Sequence, residues 1–563
     1  MSFDVSNINY KYSPDGKLIL KNVSFEIKEA QVTAIVGPSG CGKSTLVSIL
    51  SGVIPTLMPM GEFTGSFEVD EEVNISVVSQ SPENQLFGYG VEDAVCFGIE
   101  NMGLASEEIA ERVEYVLDLL NIQHLRKRSV ATLSGGQRQA VCIASVLAMQ
   151  PDILIMDEPV SSLDPNGKKM VQSVLNQLRA TGQTTVIVDN NLDWFSDIVD
   201  HVIGLIDGEV VFDGDKNEFF DNFEIQEKLG VTIPQEVEIY RELSKKVKGL
   251  NRFYTFDSAN EEIGRLLKDN SSEANSKNTV NNASTKAKDP SLSAAEEILV
   301  ADGICKTFRD GFNALIDVTS GFEKGRIISI LGQNGSGKTT LVKHLNGLYR
   351  PTKGAVRYKG VETVGKSVAQ ISKDIILVFQ HPEHMLFEET VYRELTFCAR
   401  AQGIDFSEDE ALKVLEQYGL LEFKEELPVN LSMGKKHILT ILSVLFSSAE
   451  VIILDEPTLG MDLHLKKLLE DIIKRLSESG KTVIIISHEI PMVFKVTDQI
   501  LILNNGVKLL QDSKQALTER EDIFDTINIT LPPVVRLAKA FGFPAGCCDV
   551  NSFVQEVVAR LPQ

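Results

Sequence analysis

The sequence predicts an α/β chain built as two tandem domains of one kind, each a mainly parallel sheet flanked by helices. Three observations carry that prediction. First, motifs of the first half return in the second: Lys43 recurs as Lys338, 295 residues on, and Ser134, Asp157 and Asp164 recur as Ser432, Asp455 and Asp462, all three 298 residues on. The spacing still holds between Val231-Thr232-Ile233-Pro234 and Ile529-Thr530-Leu531-Pro532, so the repeat unit is a whole domain and not a solenoid turn. Second, β-branched runs such as residues 184–188 and 482–486 alternate with amphipathic stretches such as residues 107–120. That alternation belongs to parallel strands joined by crossover helices. Third, Ile153-Leu154-Ile155-Met156 and Val451-Ile452-Ile453-Leu454 are apolar at every position, as strands buried on both faces are.

The chain divides into copy one (residues 1–252), a flexible linker (253–296) and copy two (297–563). The linker core, residues 269–290, reads DNSSEANSKNTVNNASTKAKDP and lacks the apolar side chains that would offset its ordering entropy. With 79 acidic against 55 basic residues, the net charge of −24 argues against a protein that grips nucleic acid by releasing counter-ions. Seven cysteines, an odd number, show no CxxC pair and no zinc-like Cys/His spacing, which suits a reducing compartment and buried thiols. No basic-then-apolar leader opens the chain, and the longest apolar stretch, around residues 438–446, falls short of the ~20 residues a spanning helix needs. No direct membrane span is expected.

Taken in order, the first element with chemistry follows the apolar run 32–36: Gly37-Pro38-Ser39-Gly40-Cys41-Gly42-Lys43-Ser44, leading into Thr45. It returns after residues 327–331 as Gly332-Gln333-Asn334-Gly335-Ser336-Gly337-Lys338-Thr339, leading into Thr340. A strand, a G-x-x-x-x-G-K-[ST] loop and a helix form a P-loop, whose backbone amides and helix N-terminus cradle phosphate. Lys43 and Lys338 reach the β/γ-phosphates, and the Ser44 and Thr339 hydroxyls reach Mg²⁺. Next, Leu133-Ser134-Gly135-Gly136-Gln137 reads as an N-cap opening a helix. The apolar central strands then end in Asp157-Glu158-Pro159 and Asp455-Glu456-Pro457, carboxylates placed where α/β sheets hold their ligands. There the aspartate orients Mg²⁺ and the glutamate polarises the attacking water. Two P-loops at the repeat spacing, each followed by Asp-Glu, point to a phosphate ligand bound with Mg²⁺.

Together with the Ser-Gly-Gly-Gln helix start, these motifs resemble those of ATP-binding-cassette (ABC) ATPases over nearly the whole chain except the linker. The resemblance implies an antiparallel β part and a helical signature subdomain in each copy, and head-to-tail pairing of the two cassettes. ATP at one P-loop is then capped by the signature of the other copy, Ser134-Gly135-Gly136-Gln137 or Ser432 with Gly434. It also implies that Gln80 and Gln380 are Q-loop residues sensing Mg²⁺ and a membrane partner, that Asp164 and Asp462 are D-loop residues, and that Tyr12 stacks on adenine. Phe308 stands in the equivalent place of copy two, where an ordinary core phenylalanine fits as well. His488, 33 residues after Asp455, matches the switch histidine that contacts the γ-phosphate.

Two departures follow. The counterpart of His488 is Asn190, which cannot carry charge, and the second signature reads Leu431-Ser432-Met433-Gly434-Lys435. Under head-to-tail pairing both fall in the site of Lys43, Asp157 and Glu158. The expectation is that the site of Lys338, Asp455, Glu456 and His488 hydrolyses ATP while the other mainly binds it.

Ser81-Pro82-Glu83-Asn84-Gln85-Leu86-Phe87 after Gln80, and His381-Pro382-Glu383-His384-Met385-Leu386-Phe387 after Gln380, resemble the segment of energy-coupling-factor (ECF) importers. Those systems take up cobalt, nickel and vitamins. The resemblance implies a peripheral place on the cytoplasmic face of the membrane. It also implies two kinds of partner, a shared transmembrane coupling component and a small substrate-binding membrane protein. A twin-cassette sugar importer lacks the paired Pro-Glu-x-x-Leu-Phe segments, and a translation factor acting on the ribosome normally carries a basic helical hairpin between cassettes. The cargo itself is not written in this chain.

Overall fold

The computed structural model describes residues 2–54, 61–68, 73–79, 84–161, 163–269, 296–309 and 311–561. By contacts the chain forms two compact units, Met1–Pro234 and Gln235–Gln563.

The first unit holds a six-stranded sheet in the order Ile75–Val78, Ile153–Asp157, Thr184–Val188, Val32–Val36, His201–Ile206, Glu209–Asp215. All neighbours pair in parallel except the last two, which form an antiparallel hairpin. Val32–Val36 and Thr184–Val188 are buried at every residue, which is why these runs carry no period-2 polar alternation. A second, antiparallel sheet of Leu20–Lys28, Ser2–Lys11 and Glu62–Glu68 packs across the P-loop helix Lys43–Leu50. Ile8, Tyr10 and Leu20 of that sheet share one core with Leu46, Ile35 and Val186.

The second unit repeats this plan. Its main sheet runs Ile375–Val378, Val451–Asp455, Thr482–Ile486, Ile327–Leu331, Gln499–Asn504, Val507–Ser513, and its antiparallel sheet has four strands from Asn313–Glu323 to Val361–Glu362. The helices Val391–Gln402, Glu408–Gln417 and Met433–Leu445 form the helical part, with a core of Leu395, Leu415, Ile438 and Leu442 against the sheet residues Ile452 and Leu454.

One boundary differs from the sequence reading. Helices Gln235–Ser244 and Phe256–Asp269 fold with the second unit, although the sequence places residues up to 252 in copy one and begins a flexible linker at 253. Ile239, Leu243, Phe253, Ala259 and Ile263 are buried in one core with Val534, Val535, Leu537 and Phe553 of the C-terminal helices. Val534 N–H donates to Gln235 Oε1 at 3.2 Å, and the Arg536 guanidinium lies 4.0 Å from the Phe256 ring centroid. The low-complexity core 269–290 lies, apart from Asp269 itself, outside the described residues. Among the described residues no helix is long and apolar enough to cross a membrane.

Candidate functional site

In each copy the P-loop closes between a buried strand and a helix. The helix Lys43–Leu50 starts at Gly42, whose φ is 106°. A Cβ at Gly42 would lie 2.8 Å from Leu20 Cδ2, so both dihedral and space demand glycine there. Gly337 repeats the arrangement ahead of Lys338–Leu345 with φ 100°. Both lysines are buried. Lys43 Nζ donates to Gly37 O (2.6 Å) and Pro38 O (3.0 Å), and Lys338 Nζ to Gly332 O (2.7 Å) and Gln333 O (2.9 Å). The loop's own carbonyls thus hold each ammonium in place.

Asp157 and Asp455 end the central strands of their sheets. Burial pushes both carboxyls above the usual aspartate range; Lys43 opposes this in copy one, and the Thr339 hydroxyl and Lys338 oppose it in copy two. Thr339 Oγ1 donates to Asp455 Oδ1 at 3.5 Å. A buried carboxylate beside a hydroxyl is an all-oxygen donor set, and it fits the few protein ligands that Mg²⁺ takes when triphosphate and water fill its other positions.

The next residue is a backbone outlier in both copies: Glu158 has φ 45° and Glu456 φ 48°. Their N–H groups donate back to the neighbouring strand, Glu158 to Val188 O (2.8 Å) and Glu456 to Ile486 O (2.9 Å). A left-handed glutamate costs about 1–3 kcal/mol, and its recurrence at one position in both copies marks a functional constraint.

Beyond this point the copies diverge. In copy two, His488 Nε2 lies 3.0 Å from Glu456 Oε1 and 3.2 Å from Asn334 Oδ1, and the His488 N–H donates to Glu456 Oε2 at 3.2 Å. Lys338, Thr339, Asp455, Glu456, His488 and the P-loop residue Asn334 are thereby brought together. In copy one, Asn190 Oδ1 accepts the Gly37 N–H at 3.2 Å. Its backbone is pinned to the tail segment: Thr232 N–H donates to Asn190 O (2.9 Å) and Leu192 N–H to Thr232 O (2.8 Å). Buried Asp189 accepts the Trp194 indole N–H and the Asn191 N–H, both at 2.9 Å. Sequence reasoning finds His488, Asn190 and, as a P-loop residue, Asn334, but has no signal for the Asn334–His488 contact or for Asp189 and Trp194, whose roles depend on which loops meet.

The signatures also differ. Ser134 caps Gly135–Leu147 reciprocally: its Oγ accepts the Gln137 N–H (3.3 Å), and its own N–H donates to Gln137 Oε1 (3.1 Å). Ser432 makes no side-chain cap on Met433–Leu445, and Lys435, in the place of that glutamine, sets its Nζ 4.0 Å from the Phe423 ring centroid. Met433 packs against Gly460, where any Cβ would come within 2.9 Å of Met433 Cγ. The glycine at 460 makes room for the methionine.

Asp164 and Asp462 N-cap Pro165–Ala180 and Leu463–Glu478. Gln380 sits half-buried on the bend after Ile375–Val378, followed by a 3₁₀ turn, Pro382–His384, that a Lys436–Glu383 ion pair (2.7 Å) ties to the signature helix. Gln80, with Ser81-Pro82-Glu83, lies outside the described residues. The Tyr12 hydroxyl shares a hydrogen bond with Thr45 Oγ1 (2.9 Å), its ring packs edge-on against Tyr10, and the residue is 54% exposed. Phe308 has its ring edge-on to Tyr349, with centroids 5.9 Å apart.

Comparison with known proteins places this geometry. The family model for ABC transporters matches residues 20–161 and 315–459. A protein of Methanosarcina mazei, provisionally named an ABC transporter ATP-binding protein, is 30% identical over 591 residues, covering 100% of this chain and 97% of its own. A Bacillus subtilis protein, provisionally named HMP/thiamine import ATP-binding protein YkoD, is 29% identical over 94% of each chain. Among solved structures, the archaeal ribosome recycling factor aABCE1, in complex with the ribosomal stalk protein aP1, superposes with a TM-score of 0.59 at 21% identity over 93% of each chain. At that identity the likeness concerns the fold alone.

Proposed function

The chain belongs to the ABC transporter family, and we propose that within it this twin-cassette ATPase is the energy-coupling subunit of an ECF-type importer. It works at the cytoplasmic face of the membrane and drives uptake of a vitamin, a vitamin precursor or a transition-metal ion through separate membrane subunits. The observation that carries this reading is a pair of exposed aromatics at the same place in both copies. Phe87, 53% exposed, stacks on Phe97 (4.8 Å), and Phe387, 63% exposed, packs edge-on against Phe397 (4.5 Å). Exposed paired rings beside the Q-loop segments suit a protein partner better than water. The import role in the name of the Bacillus subtilis relative supports the same reading.

Hydrolysis follows from the geometry of copy two. Lys338 and the loop amides bind the β/γ-phosphates. Glu456, held by His488, orients the attacking water and accepts its proton. His488 spans Glu456 and Asn334, which lets it donate to a γ-phosphoryl oxygen while it positions the base. Thr339, Asp455 and Gln380, and in copy one Ser44, Asp157 and Gln80, would hold Mg²⁺, which when bound neutralises charge on the transferring phosphoryl. Copy one keeps Lys43, Asp157 and Glu158, but Asn190 engages the P-loop backbone and is locked by Thr232. Under head-to-tail pairing it also receives the uncapped Ser432 signature with Met433 and Gly434, whereas copy two receives Ser134-Gly135-Gly136-Gln137. Copy two therefore turns ATP over and copy one mainly holds it.

The test of the import reading is to purify the full chain from detergent-solubilised membranes of its own host. The expected result is a polytopic membrane protein and a smaller substrate-binding one in stable association, lost in the Phe87→Asp, Phe387→Asp double variant while circular dichroism stays unchanged. Recovery with ribosomes in place of membrane proteins, or association indifferent to the double variant, contradicts it.

A further inference from the structure

The aromatic positions that match an adenine platform sit in opposite chemical surroundings in the two copies. In copy one the Tyr12 ring is exposed and fixed at both ends, by Tyr10 against its edge and by the hydroxyl bond to Thr45. Of its neighbours, Tyr10 and Ser13 carry no charge, and Lys11 is paired with Glu62 at 3.0 Å. In copy two Phe308 is half-buried and engaged: Tyr349 packs on it at 82°, and Lys306 Nζ lies 5.5 Å from the Phe308 centroid and 5.4 Å from that of Tyr349. Lys343 Nζ stands 5.5 Å from the Tyr349 ring on its other side. Lys306, Thr307, Phe308 and Arg309 line an open cleft of about 530 Å³. At the corresponding positions of copy one stand Tyr10, Ser13 and Ser48 in place of Lys306, Arg309 and Lys343, so these three cations have no counterpart there, and the one cation beside Tyr12, Lys11, is held by Glu62.

We propose that the two copies hold the nucleotide base by different chemistry: copy one stacks it on Tyr12, while copy two reads it with the Lys306–Arg309 cation cluster and accepts 6-oxopurine triphosphates at least as readily as ATP. Stacking is indifferent to base identity, because every base has a π-face. Lysine and arginine side chains are donors only. Lys306 gives one N–H to Arg350 O (3.0 Å), which holds its ammonium beside the Phe308 ring. A base edge facing such donors must present acceptors. Guanine and hypoxanthine offer adjacent O6 and N7, whereas adenine sets a donor amino group beside N7. The inference rests on nucleotide binding at both P-loops and is independent of the transport reading.

The test uses full-length chains with one P-loop disabled, titrated with fluorescent mant-ATP and mant-GTP. In Lys43→Ala, which leaves copy two, mant-GTP is expected to bind as tightly as mant-ATP or tighter. In that background Lys306→Met weakens mant-GTP by about fivefold, as loss of a specific base contact does, and Phe308→Ala changes either nucleotide little. In Lys338→Ala, which leaves copy one, Tyr12→Ala weakens both nucleotides alike by about tenfold. A copy-two preference for ATP of about tenfold, or a Phe308→Ala loss equal to that of Tyr12→Ala, overturns the proposal. Absence of binding in both P-loop variants overturns the nucleotide sites themselves, which is a distinguishable failure. A readout on otherwise unaltered chain guards against misfolding of these variants: Lys306→Met should lower kcat/KM for GTP more than for ATP, and an equal loss counts against the proposal.

Discussion

Asn190 and His488 occupy the same position 298 residues apart, and the difference is more than one lost charge. His488 engages Glu456 and Asn334, whereas Asn190 engages Gly37 and is pinned through Thr232. The aspartates beside them carry a stability consequence. Burial raises the Asp455 carboxyl above its unfolded value, so the stability its protonated form supplies is complete below the unfolded aspartate range and is lost as pH rises through the folded value. Above that folded value the nucleotide-free chain therefore carries a destabilised, ionised Asp455. Asp455→Asn is expected to raise its melting temperature, by about 2–4 °C per kcal/mol recovered, and to shrink the further rise on adding Mg²⁺ and ATP. Differential scanning fluorimetry with and without both ligands checks this, and an unchanged or lower melting temperature speaks against it. These carboxylates were legible from the sequence because Asp-Glu at the end of an apolar strand, a common turn on its own, follows a P-loop in both copies. Asp189 and Trp194 were not, nor was the meeting of the P-loop residue Asn334 with His488, 154 residues away, because no local pattern encodes which loop groups meet.

Among the elements, the signature helices show how a change in sequence is absorbed. Gly135–Leu147 begins with a reciprocal cap and lies against the next helix so closely that a Cβ on Gly136 would stand 2.6 Å from Gly167 Cα. Backbone meets backbone there, so Gly136→Ala is expected to destabilise copy one by about 1–3 kcal/mol, read from denaturant unfolding. A neutral substitution would mean that the two helices are freer to separate. Met433–Leu445 carries its own strain in His437, which is fully buried with neither ring nitrogen hydrogen-bonded among the described residues. Burial, with His381 adding to it, depresses its pKa to about 4. Between pH 6.5 and about 4 the unfolded chain binds a proton that the folded chain refuses, so stability falls as pH falls across that window. His437→Gln, the residue copy one carries as Gln139, should flatten that dependence, as urea unfolding at stepped pH would reveal. An unaltered slope would place the acid sensitivity elsewhere. The Ser-x-Gly start of each helix is visible in sequence. Gly460 yielding space to Met433 is visible only in three dimensions.

For the molecule as a whole, repetition along the chain makes the two-copy plan, the sheet-and-helix class and the P-loops legible at once, because each rests on local pattern. It does not say where residues 235–269 pack: they follow copy one in the chain yet bury Ile239, Phe253 and Ile263 with the C-terminal helices of copy two. Burial of that kind depends on a distant partner, which periodicity does not name. A fragment of residues 235–563 should accordingly unfold at higher temperature than one of residues 296–563, and equal melting would contradict the shared core. The same repetition invites the assumption that both nucleotide sites work alike, and the geometry argues otherwise. The most direct measurement is the steady-state ATPase rate of Glu456→Gln beside Glu158→Gln in the full chain. The account expects Glu456→Gln to lose about a hundredfold or more, the scale of a removed general base, while Glu158→Gln keeps most of the rate. Equal losses in the two variants would contradict the division of labour between the copies.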